Sequence, residues 1–321
     1  MRGSEIKKIA CFGTGVIGAS WATNFVMKGY AVNMYDISKE QLELGCNKVA
    51  GNLSFLVEKG VLSRTDAEAA LGRITYTTSV AEAVADVQLI QESVPERYEI
   101  KQAVLAQIDE VVGGEVIYAS STSGLLISEI AKLSKYPARC IGAHPYNPPH
   151  LIPLVELVGP EGSESVVAAA KEFYALLGKE PVVLNREVPG FIANRIQTAV
   201  AREIIDLVVR GVCSVEDADK ALTFGPGIRW GIMGQNLLYN LGNPNGIRGL
   251  YANVGGGKNK KSWLDDMARW TVYPEGWPEL AQAGVDAAIA KRPPEQGNTA
   301  ETLANYRDEM LIEILRLHHK L

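Results

Sequence analysis

The sequence has few of the residues that build disulfide frameworks or metal centres, and it has no long hydrophobic run. Its 321 residues include four cysteines and four histidines, and the cysteines are scattered along the chain. Their spacing fits neither a disulfide framework nor a zinc site, so we expect reduced cysteines, no bound metal and a cytoplasmic location. No stretch approaches the roughly 18 apolar residues that a membrane-spanning helix needs, so we expect no membrane association.

Positive charge is also in short supply, and the chain is long for one core. Lys and Arg number 32 against 37 Asp and Glu, which gives a formal net charge of −5. Nucleic acids and anionic membranes bind basic patches, so this balance argues against both as partners. Single cores stop growing at roughly 250–300 residues, so the length predicts two domains.

A glycine-rich turn follows the first predicted strand. The apolar run Ile6–Phe12 is typical of a buried parallel strand, and it leads into the sequence GTGVIG and then a helical pattern. In such a turn Gly13 permits the tight bend, Gly15 lets the backbone approach a pyrophosphate, and Gly18 lets the helix pack closely on the strand. The N-terminus of the helix adds unpaired N–H groups that favour phosphate. The pattern therefore predicts a dinucleotide site.

The second predicted strand, Ala31–Tyr35, ends in Asp36, which follows the glycines by about 20 residues. A carboxylate at this position accepts hydrogen bonds from the ribose hydroxyls of NAD and repels the 2′-phosphate of NADP. No arginine follows directly, so NAD is favoured as the cofactor. An isolated aspartate could simply be solvated, but its register with the glycines supports the cofactor role.

Strand and helix patterns alternate through the rest of the first half. A helical hairpin is predicted over 39–72, and six more strand patterns follow before residue 188. This alternation predicts an α/β domain of Rossmann type, with a mostly parallel sheet. Glu96 and Lys101 come just after one of these strands, near the edge at which a cofactor binds, although they could also be charges on a helix surface.

A histidine stands at the end of the predicted strand RCIGAHP. His144 can accept a hydroxyl proton as a general base near neutral pH while a hydride leaves the same carbon. Glu156 lies in an otherwise apolar strand, which makes it the candidate partner that fixes the histidine tautomer. Ser123 and Asn194 could hydrogen-bond the substrate oxygen, and Asn147, in the same segment as His144, is a further candidate for substrate binding.

The other three histidines are interpreted as structural residues: His150, His318 and His319. No second histidine or cysteine stands at ligand spacing from His144, which argues against a metal site.

The second half of the chain has no further strand pattern. The first domain is predicted to span 1–188 and to bind NAD, and the break falls at the sequence VPG. A long helix is predicted over Phe191–Val209, and Ser214 with Asp217 forms the capping-box pattern of another helix. The region 189–321 is therefore predicted to be an all-α domain.

The chain resembles the 3-hydroxyacyl-CoA dehydrogenase superfamily from about Ile6 to its C-terminus. The resemblance rests on five segments in order: GTGVIG, QESVPERYEIK, SSTSG, AHPYNPPHLIPLVELV and VPGFIANR. Within the superfamily, QESVPE, SSTSG, HP-x-NPP and YRDEML are similar to the lambda-crystallin and L-gulonate 3-dehydrogenase branch. QESVPER, SSTSG and GIRW are similar to the L-carnitine 3-dehydrogenases.

The resemblance assigns roles to individual residues. It implies that His144 is the base, that Glu156 orients it, and that Ser123 and Asn194 bind the substrate oxygen. The residues implied for the adenosine and pyrophosphate are Gly13, Gly15, Val16, Ile17, Gly18 and Asp36, with Glu96 and Lys101 near the nicotinamide ribose. C-terminal domains of this superfamily pair, so a homodimer through the C-terminal helices is expected.

The predicted activity is the NAD-dependent oxidation of a small free L-3-hydroxy acid, such as L-gulonate, to the 3-oxo acid. L-Carnitine and a short-chain 3-hydroxyacyl-CoA are alternative substrates. We expect Arg229 to bind the carboxylate of a free acid through two parallel hydrogen bonds, although it could be a surface arginine. Three tryptophans could form a wall for a quaternary ammonium group or pack in a core or dimer interface: Trp263, Trp270 and Trp277.

A non-catalytic role belongs to a different class of function, because lambda-crystallins of the lens use this fold as a structural protein. The pairing of His144 with Glu156 and the complete glycine motif argue against a purely structural role.

Overall fold

The computed structural model describes residues 2–252 and 263–321. The chain divides into two compact units. The first comprises the residues up to Asn194 together with Leu311–Leu321, and the second comprises Arg195–Met310. The division lies six residues after the predicted break at residue 188, and the last residues of the chain return to the first unit.

The first unit is built on an eight-stranded sheet with the order β3-β2-β1-β4-β5-β6-β7-β8. All neighbouring strands pair in parallel except β6 and β7, which are antiparallel. The strands are β1 (Lys8–Phe12), β2 (Ala31–Tyr35), β3 (Ile74–Thr77), β4 (Leu89–Glu92), β5 (Ile117–Ser120), β6 (Cys140–Pro145), β7 (Leu154–Val158) and β8 (Glu180–Val183). The predicted Rossmann-type, mostly parallel sheet is confirmed.

Helices cover both faces of this sheet. They are α1 (Val16–Met27), α2 (Lys39–Glu58), α3 (Arg64–Leu71), α4 (Val80–Ala83), α5 (Tyr98–Asp109), α6 (Ile127–Ala131) and α7 (Glu164–Leu176). The predicted hairpin over 39–72 is α2 and α3, whose first turns are capped by Ser38 and Ser63.

From Ile9 to Phe12, successive residues of β1 point into two different cores, which explains why this run is apolar. Ile9 and Cys11 belong to the core that includes α1 and α7. Ala10 and Phe12 belong to the core that includes α5 and α6. The strand is therefore buried on both faces, and no polar residue is tolerated until the chain reaches the edge of the sheet.

The rest of the described chain is built from helices and their connections. Its helices include α8 (Ala193–Val209), α9 (Val215–Leu222), α10 (Ile228–Trp230), α11 (Gln235–Leu241), α12 (Gly246–Leu250), α13 (Trp277–Ala290) and α14 (Ala300–Leu317). The predicted cap of α9 is present, because the Ser214 hydroxyl accepts a hydrogen bond from the Asp217 N–H. Between residues 195 and 310, the described part contains no strand.

Two further features bear on the compositional predictions. All four cysteines are free thiols. Among the described residues, no helix combines the length and the apolar character that crossing a membrane requires.

Candidate active site

The carboxyl ends of the parallel strands bring most of the predicted site residues to one edge of the sheet. Gly13 follows β1, Asp36 follows β2, and Ser123 follows β5 after two residues. His144 is near the end of β6, which runs parallel to β5. Ligands of open parallel sheets bind at this edge, so the topology gathers these side chains where a cofactor and substrate would meet.

The glycine turn fits a dinucleotide, and its three glycines have different reasons for lacking a side chain. Gly13 has a φ of +89°, and a Cβ there would come within 2.7 Å of the Ser93 carbonyl oxygen. A Cβ on Gly18 would come within 1.9 Å of the Gly13 carbonyl oxygen. Gly15 has an ordinary φ of −63°, and no described atom lies within 4 Å of the position of its Cβ. The protein itself does not require glycine at this position, whereas a pyrophosphate approaching the backbone does.

Asp36 is held in place by the glycine turn. Its Oδ2 accepts hydrogen bonds of 2.8 Å from both the N–H and the hydroxyl of Thr14. Its Oδ1 accepts one of 2.8 Å from the Ile37 N–H. A carboxylate offers about four lone-pair sites, so capacity remains for ribose hydroxyls. The sequence patterns identified Asp36 but missed Thr14, because Thr14 occupies a position of the glycine motif at which any residue is allowed.

His144 and Glu156 form the buried centre of the site. The two residues are opposite each other in the antiparallel pairing of β6 and β7. His144 Nδ1 lies 2.7 Å from Glu156 Oε2, and the residues are 4% and 1% exposed. The other carboxylate oxygen, Oε1, accepts hydrogen bonds from the N–H groups of Ile192 (2.8 Å) and Ala193 (3.0 Å) at the start of α8.

These contacts keep Glu156 ionised. Burial alone would raise its pKa, but the hydrogen bonds from His144, Ala193 and Ile192 outweigh burial, so the pKa of Glu156 lies below its usual value. Because a carboxylate only accepts hydrogen bonds, Nδ1 of His144 must carry the hydrogen. The lone pair of the neutral ring is then on Nε2, which can accept a proton.

Ser123 and Asn194 are brought together by a hydrogen bond. The side-chain Nδ2 of Asn194 donates to the Ser123 carbonyl oxygen at 3.1 Å. Asn194 directly follows Ala193, whose N–H binds Glu156. The first two residues of α8 thus connect the His144–Glu156 pair to the loop after β5 that contains Ser123.

A charge network around Glu96, which is itself partly exposed, supports the loop that contains Ser123. Glu96 Oε1 accepts hydrogen bonds from the Thr122 hydroxyl (2.7 Å), the Ser123 N–H (2.7 Å) and the Gly124 N–H (3.2 Å). Its Oε2 lies 3.3 Å from Lys101 Nζ. Burial opposes ionisation, but the Thr122 hydrogen bond, the Lys101 charge and the Ser123 N–H hold the pKa of Glu96 below its usual value.

Lys101 is directed into the protein. Its Nζ is 2.7 Å from Glu92 Oε1, 3.3 Å from the Val94 carbonyl oxygen and 3.3 Å from Glu96. An ammonium group has three donors, so these three partners account for all of them. Glu92 is itself fully buried, and the sequence patterns missed it. The predicted position of Lys101 near the nicotinamide ribose stays a prediction.

Among the residues that the structure describes, two predicted substrate residues have no partner that would define their role. Asn147 is exposed and precedes Pro148 across a cis peptide bond. Arg229 is exposed in α10 of the second unit, and its guanidinium has no ion-pair partner in the described part of the chain.

Two family models match the chain. The one described as 3-hydroxyacyl-CoA dehydrogenase, NAD binding domain, matches residues 8–188. The one described as 3-hydroxyacyl-CoA dehydrogenase, C-terminal domain, matches residues 190–276.

Proteins named L-carnitine dehydrogenase are similar to the chain along nearly its whole length. The one from Streptomyces griseus subsp. griseus is 36% identical over 321 residues, which cover 97% of this chain and 90% of that protein. The one from Bacillus cereus is 38% identical over 319 residues, which cover 99% of this chain and 94% of that protein.

Solved structures agree with this relationship. The structure of 5-formyl-3-hydroxy-2-methylpyridine 4-carboxylic acid 5-dehydrogenase, an NAD+-dependent dismutase, has a TM-score of 0.79 and 28% identity, covering 98% of this chain and 97% of that one. The 3-hydroxybutyryl-CoA dehydrogenase of Escherichia coli has a TM-score of 0.69 and 29% identity, covering 87% and 57%. The chain belongs to the 3-hydroxyacyl-CoA dehydrogenase family and is an NAD-dependent oxidoreductase.

Proposed function

We propose that this enzyme oxidises the 3-hydroxyl group of L-carnitine with NAD. The observation that carries the reaction is the buried His144–Glu156 pair, 2.7 Å apart, at the cofactor edge of the sheet. The identity of the substrate is supported by relatives named L-carnitine dehydrogenase, which are 35–38% identical to this chain. They favour the alternative substrate of the sequence analysis over L-gulonate, for which there is no specific support.

The chemistry of the pair suits alcohol oxidation. Nε2 of His144 would take the proton of the substrate hydroxyl, and Glu156 would stabilise the imidazolium ion that forms. NAD, when bound, supplies the acceptor for the hydride that leaves the same carbon. The products of this step are a 3-oxo acid, NADH and a protonated His144.

Ser123 and Asn194 are proposed to orient the substrate oxygen. The backbone of Ser123 is fixed by Glu96 and by Asn194, which leaves its hydroxyl group available for a ligand. A hydroxyl group held in this way can hydrogen-bond the oxygen as it changes from alcohol to ketone.

The second unit offers groups that suit a substrate with a carboxylate and a quaternary ammonium group. It contains a cavity of about 300 Å³ lined by Thr198, Arg202, Trp270, Thr271 and Tyr273. The rings of Trp270 and Tyr273 lie 5.6 Å apart at 50°, and aromatic faces attract quaternary ammonium ions. Of the three tryptophans that could form such a wall, only Trp270 lines this cavity.

Arg202 and Arg229 are alternative sites for the substrate carboxylate. Neither guanidinium has an ion-pair partner among the described residues. We propose to separate them with Arg202→Met and Arg229→Met, measuring KM for L-carnitine and for NAD. The arginine that binds the carboxylate is the one whose loss raises KM for L-carnitine by roughly tenfold or more, with KM for NAD unchanged. If both values of KM stay at the wild-type level, neither arginine has this role.

A homodimer is proposed from the surface of the second unit. Large apolar side chains that are more than half exposed include Ile196, Phe224, Ile232, Leu237, Leu241, Leu264 and Val272. Large exposed apolar patches are characteristic of surfaces that bind a partner. A second copy of the chain, paired through these helices, would bury it.

The proposed reaction is tested by NADH formation with L-carnitine, L-gulonate, 3-hydroxybutyrate and 3-hydroxybutyryl-CoA. We expect turnover of L-carnitine that His144→Ala abolishes. Turnover of L-gulonate or the thioester alone would contradict the substrate but leave the chemistry intact. Activity that survives His144→Ala would contradict the role of the base.

A further inference from the structure

The loop between β6 and β7 controls the geometry of the proposed base. His144 is in β6, Glu156 is in β7, and the chain reverses direction between them through residues 146–153. Because the two strands are antiparallel, a change in the course of this loop would alter the register that pairs the two side chains. What fastens the loop therefore bears on the reaction.

Lys179, which directly precedes β8, holds this loop in place through hydrogen bonds. Its ammonium group donates to the carbonyl oxygens of Pro149 and, at 3.0 Å, Ile152, both in the loop. The residue is 6% exposed, and Nζ lies 5.5 Å from the centre of the Trp21 ring. No carboxylate pairs with Lys179 in the described part of the chain, so its polar contacts are with the loop.

A second set of hydrogen bonds connects the loop to α1, the helix that follows the glycine turn. The Ser20 hydroxyl accepts a hydrogen bond from the His150 N–H at 2.9 Å. The same hydroxyl lies 2.7 Å from Nδ1 of His150. Ser20 and Trp21 are consecutive residues of α1, so one turn of the cofactor helix contacts both His150 and Lys179.

The lysine contact tolerates a change of protonation. Burial, with the positive charge of Lys28 as a smaller cause, lowers the pKa of Lys179 to about 7. A neutral amine still has two N–H donors, which match the two carbonyl oxygens. Methionine fills a similar volume but has no donor, so it would leave both carbonyl groups without this partner.

We propose that Lys179 and His150 are positioning residues. They attach the loop between β6 and β7 to α1 and so maintain the alignment of His144 with Glu156. Neither residue is proposed to touch the substrate. The sequence analysis interpreted His150 as structural and did not single out Lys179. The inference rests on the proposed role of His144 as the base.

The test compares Lys179→Met with Lys132→Met, which makes the same substitution at an exposed lysine that pairs with Glu129. Misplacement of catalytic groups by about 1 Å can cost about a hundredfold in rate. We therefore expect kcat of Lys179→Met to fall by roughly ten- to a hundredfold, while KM for NAD changes less than about twofold, because the residues around the dinucleotide are unchanged. Lys132→Met should match the wild type in both.

A spectroscopic signal reports on the alignment without any substrate. The proton on Nδ1 of His144, held against Glu156, should give a downfield NMR signal that His144→Ala removes. We expect Lys179→Met to broaden this signal or move it upfield. Lys179→Gln keeps two N–H donors and should recover part of both the signal and kcat. Ser20→Ala, which removes both hydrogen bonds of the Ser20 hydroxyl to His150, should cause a smaller change in the same direction and serves if Lys179→Met does not fold.

The outcomes for this inference and for the proposed function are distinct. If the wild type does not turn over L-carnitine, the substrate proposal fails, and the NMR signal still decides the role of Lys179. If folded Lys179→Met keeps both the wild-type kcat and the wild-type signal, Lys179 is not a positioning residue.

Discussion

At the scale of the residue, the site depends on two carboxylates whose hydrogen bonds favour the ionised form. Glu156 receives hydrogen bonds from an imidazole and two backbone N–H groups, so its carboxylate persists to low pH. Glu96 has the same character, with three donors and a lysine around it. Both carboxylates serve as acceptors that fix the position of a neighbouring group.

Glu156→Gln should lower kcat strongly while the protein remains folded. The amide can donate as well as accept, so it no longer specifies the Nδ1–H tautomer and cannot balance the charge of an imidazolium ion. We expect a loss of about 10²–10⁴-fold in kcat. Stopped-flow or steady-state NADH formation measures this, and a variant that retains more than half of the wild-type kcat would show that Glu156 is dispensable.

Glu156 should also make stability depend on pH in a defined window. Its pKa is lowered in the folded protein, relative to about 4.3 in an unfolded chain. Its contribution to stability is therefore fully present above about pH 4.3 and is lost as the pH falls through the folded-state pKa. Thermal unfolding measured from about pH 6 to below about pH 4.3 should show a steeper decline of Tm for the wild type than for Glu156→Gln. Parallel declines would mean that the pKa of Glu156 is not lowered.

At the scale of the element, the glycine turn contains one glycine that the fold requires and one that only the approach of a cofactor requires. Gly18 is needed by the protein, since a Cβ would overlap the Gly13 carbonyl group. Gly15 has open space beside it and a φ that any residue can adopt. The turn therefore permits a matched comparison in which the substituted atom is the same and only its surroundings differ.

Gly15→Ala and Gly18→Ala should fail in different ways. The Gly15 variant should unfold at the wild-type temperature but show KM for NAD raised by about tenfold, equivalent to roughly 1.4 kcal/mol. The Gly18 variant should be destabilised by roughly 1–3 kcal/mol or more, as expected for overpacking against backbone. Thermal unfolding and NAD kinetics of both proteins measure this. The interpretation of Gly15 is wrong if its alanine variant binds NAD as the wild type does.

The same elements show what the sequence could predict. The central strands were predictable because both faces of the sheet are covered there, so these strands are mostly apolar, whereas the edge strands β3 and β8 are partly exposed. Asp36 was predictable because it directly follows β2 at the expected distance from the glycines, and His144 because it is the first polar group of its strand. Thr14, Glu92 and Lys179 were not, because their roles come from contacts with residues distant in sequence. A lysine in the sequence GKEP has the appearance of a surface residue until the loop that covers it is known.

At the scale of the whole molecule, the two units differ in how much apolar surface they bury. The first unit has two extensive cores on either side of its sheet. In the second, few large apolar side chains are buried, among them Ile205 and Val208. A unit of this kind needs a partner surface, which is the physical argument for the proposed homodimer.

The dimer predicts a specific response to charge on α11. Leu237 and Leu241 are 63% and 71% exposed and are four residues apart, so they share one face of the helix. Sedimentation should give about twice the chain mass of 34.7 kDa for the wild type. Replacing both leucines by glutamate should shift the protein towards monomer, while Asn236→Asp on the same helix should leave the mass unchanged. A monomeric wild type would contradict the proposal.

The return of the last residues to the first unit has a consequence for biosynthesis. Ile312 and Leu315 complete a buried cluster with Leu56 and Leu151, and Leu151 belongs to the loop between β6 and β7. Domains made early on the ribosome usually fold as units during synthesis. Here the cofactor-binding unit cannot be completed when its sheet emerges, because part of its packing is encoded after Met310. While the helical unit is being translated, Leu56 and Leu151 lack the packing that Ile312 and Leu315 provide. The loop between β6 and β7 is therefore the last part of the sheet domain to complete its packing.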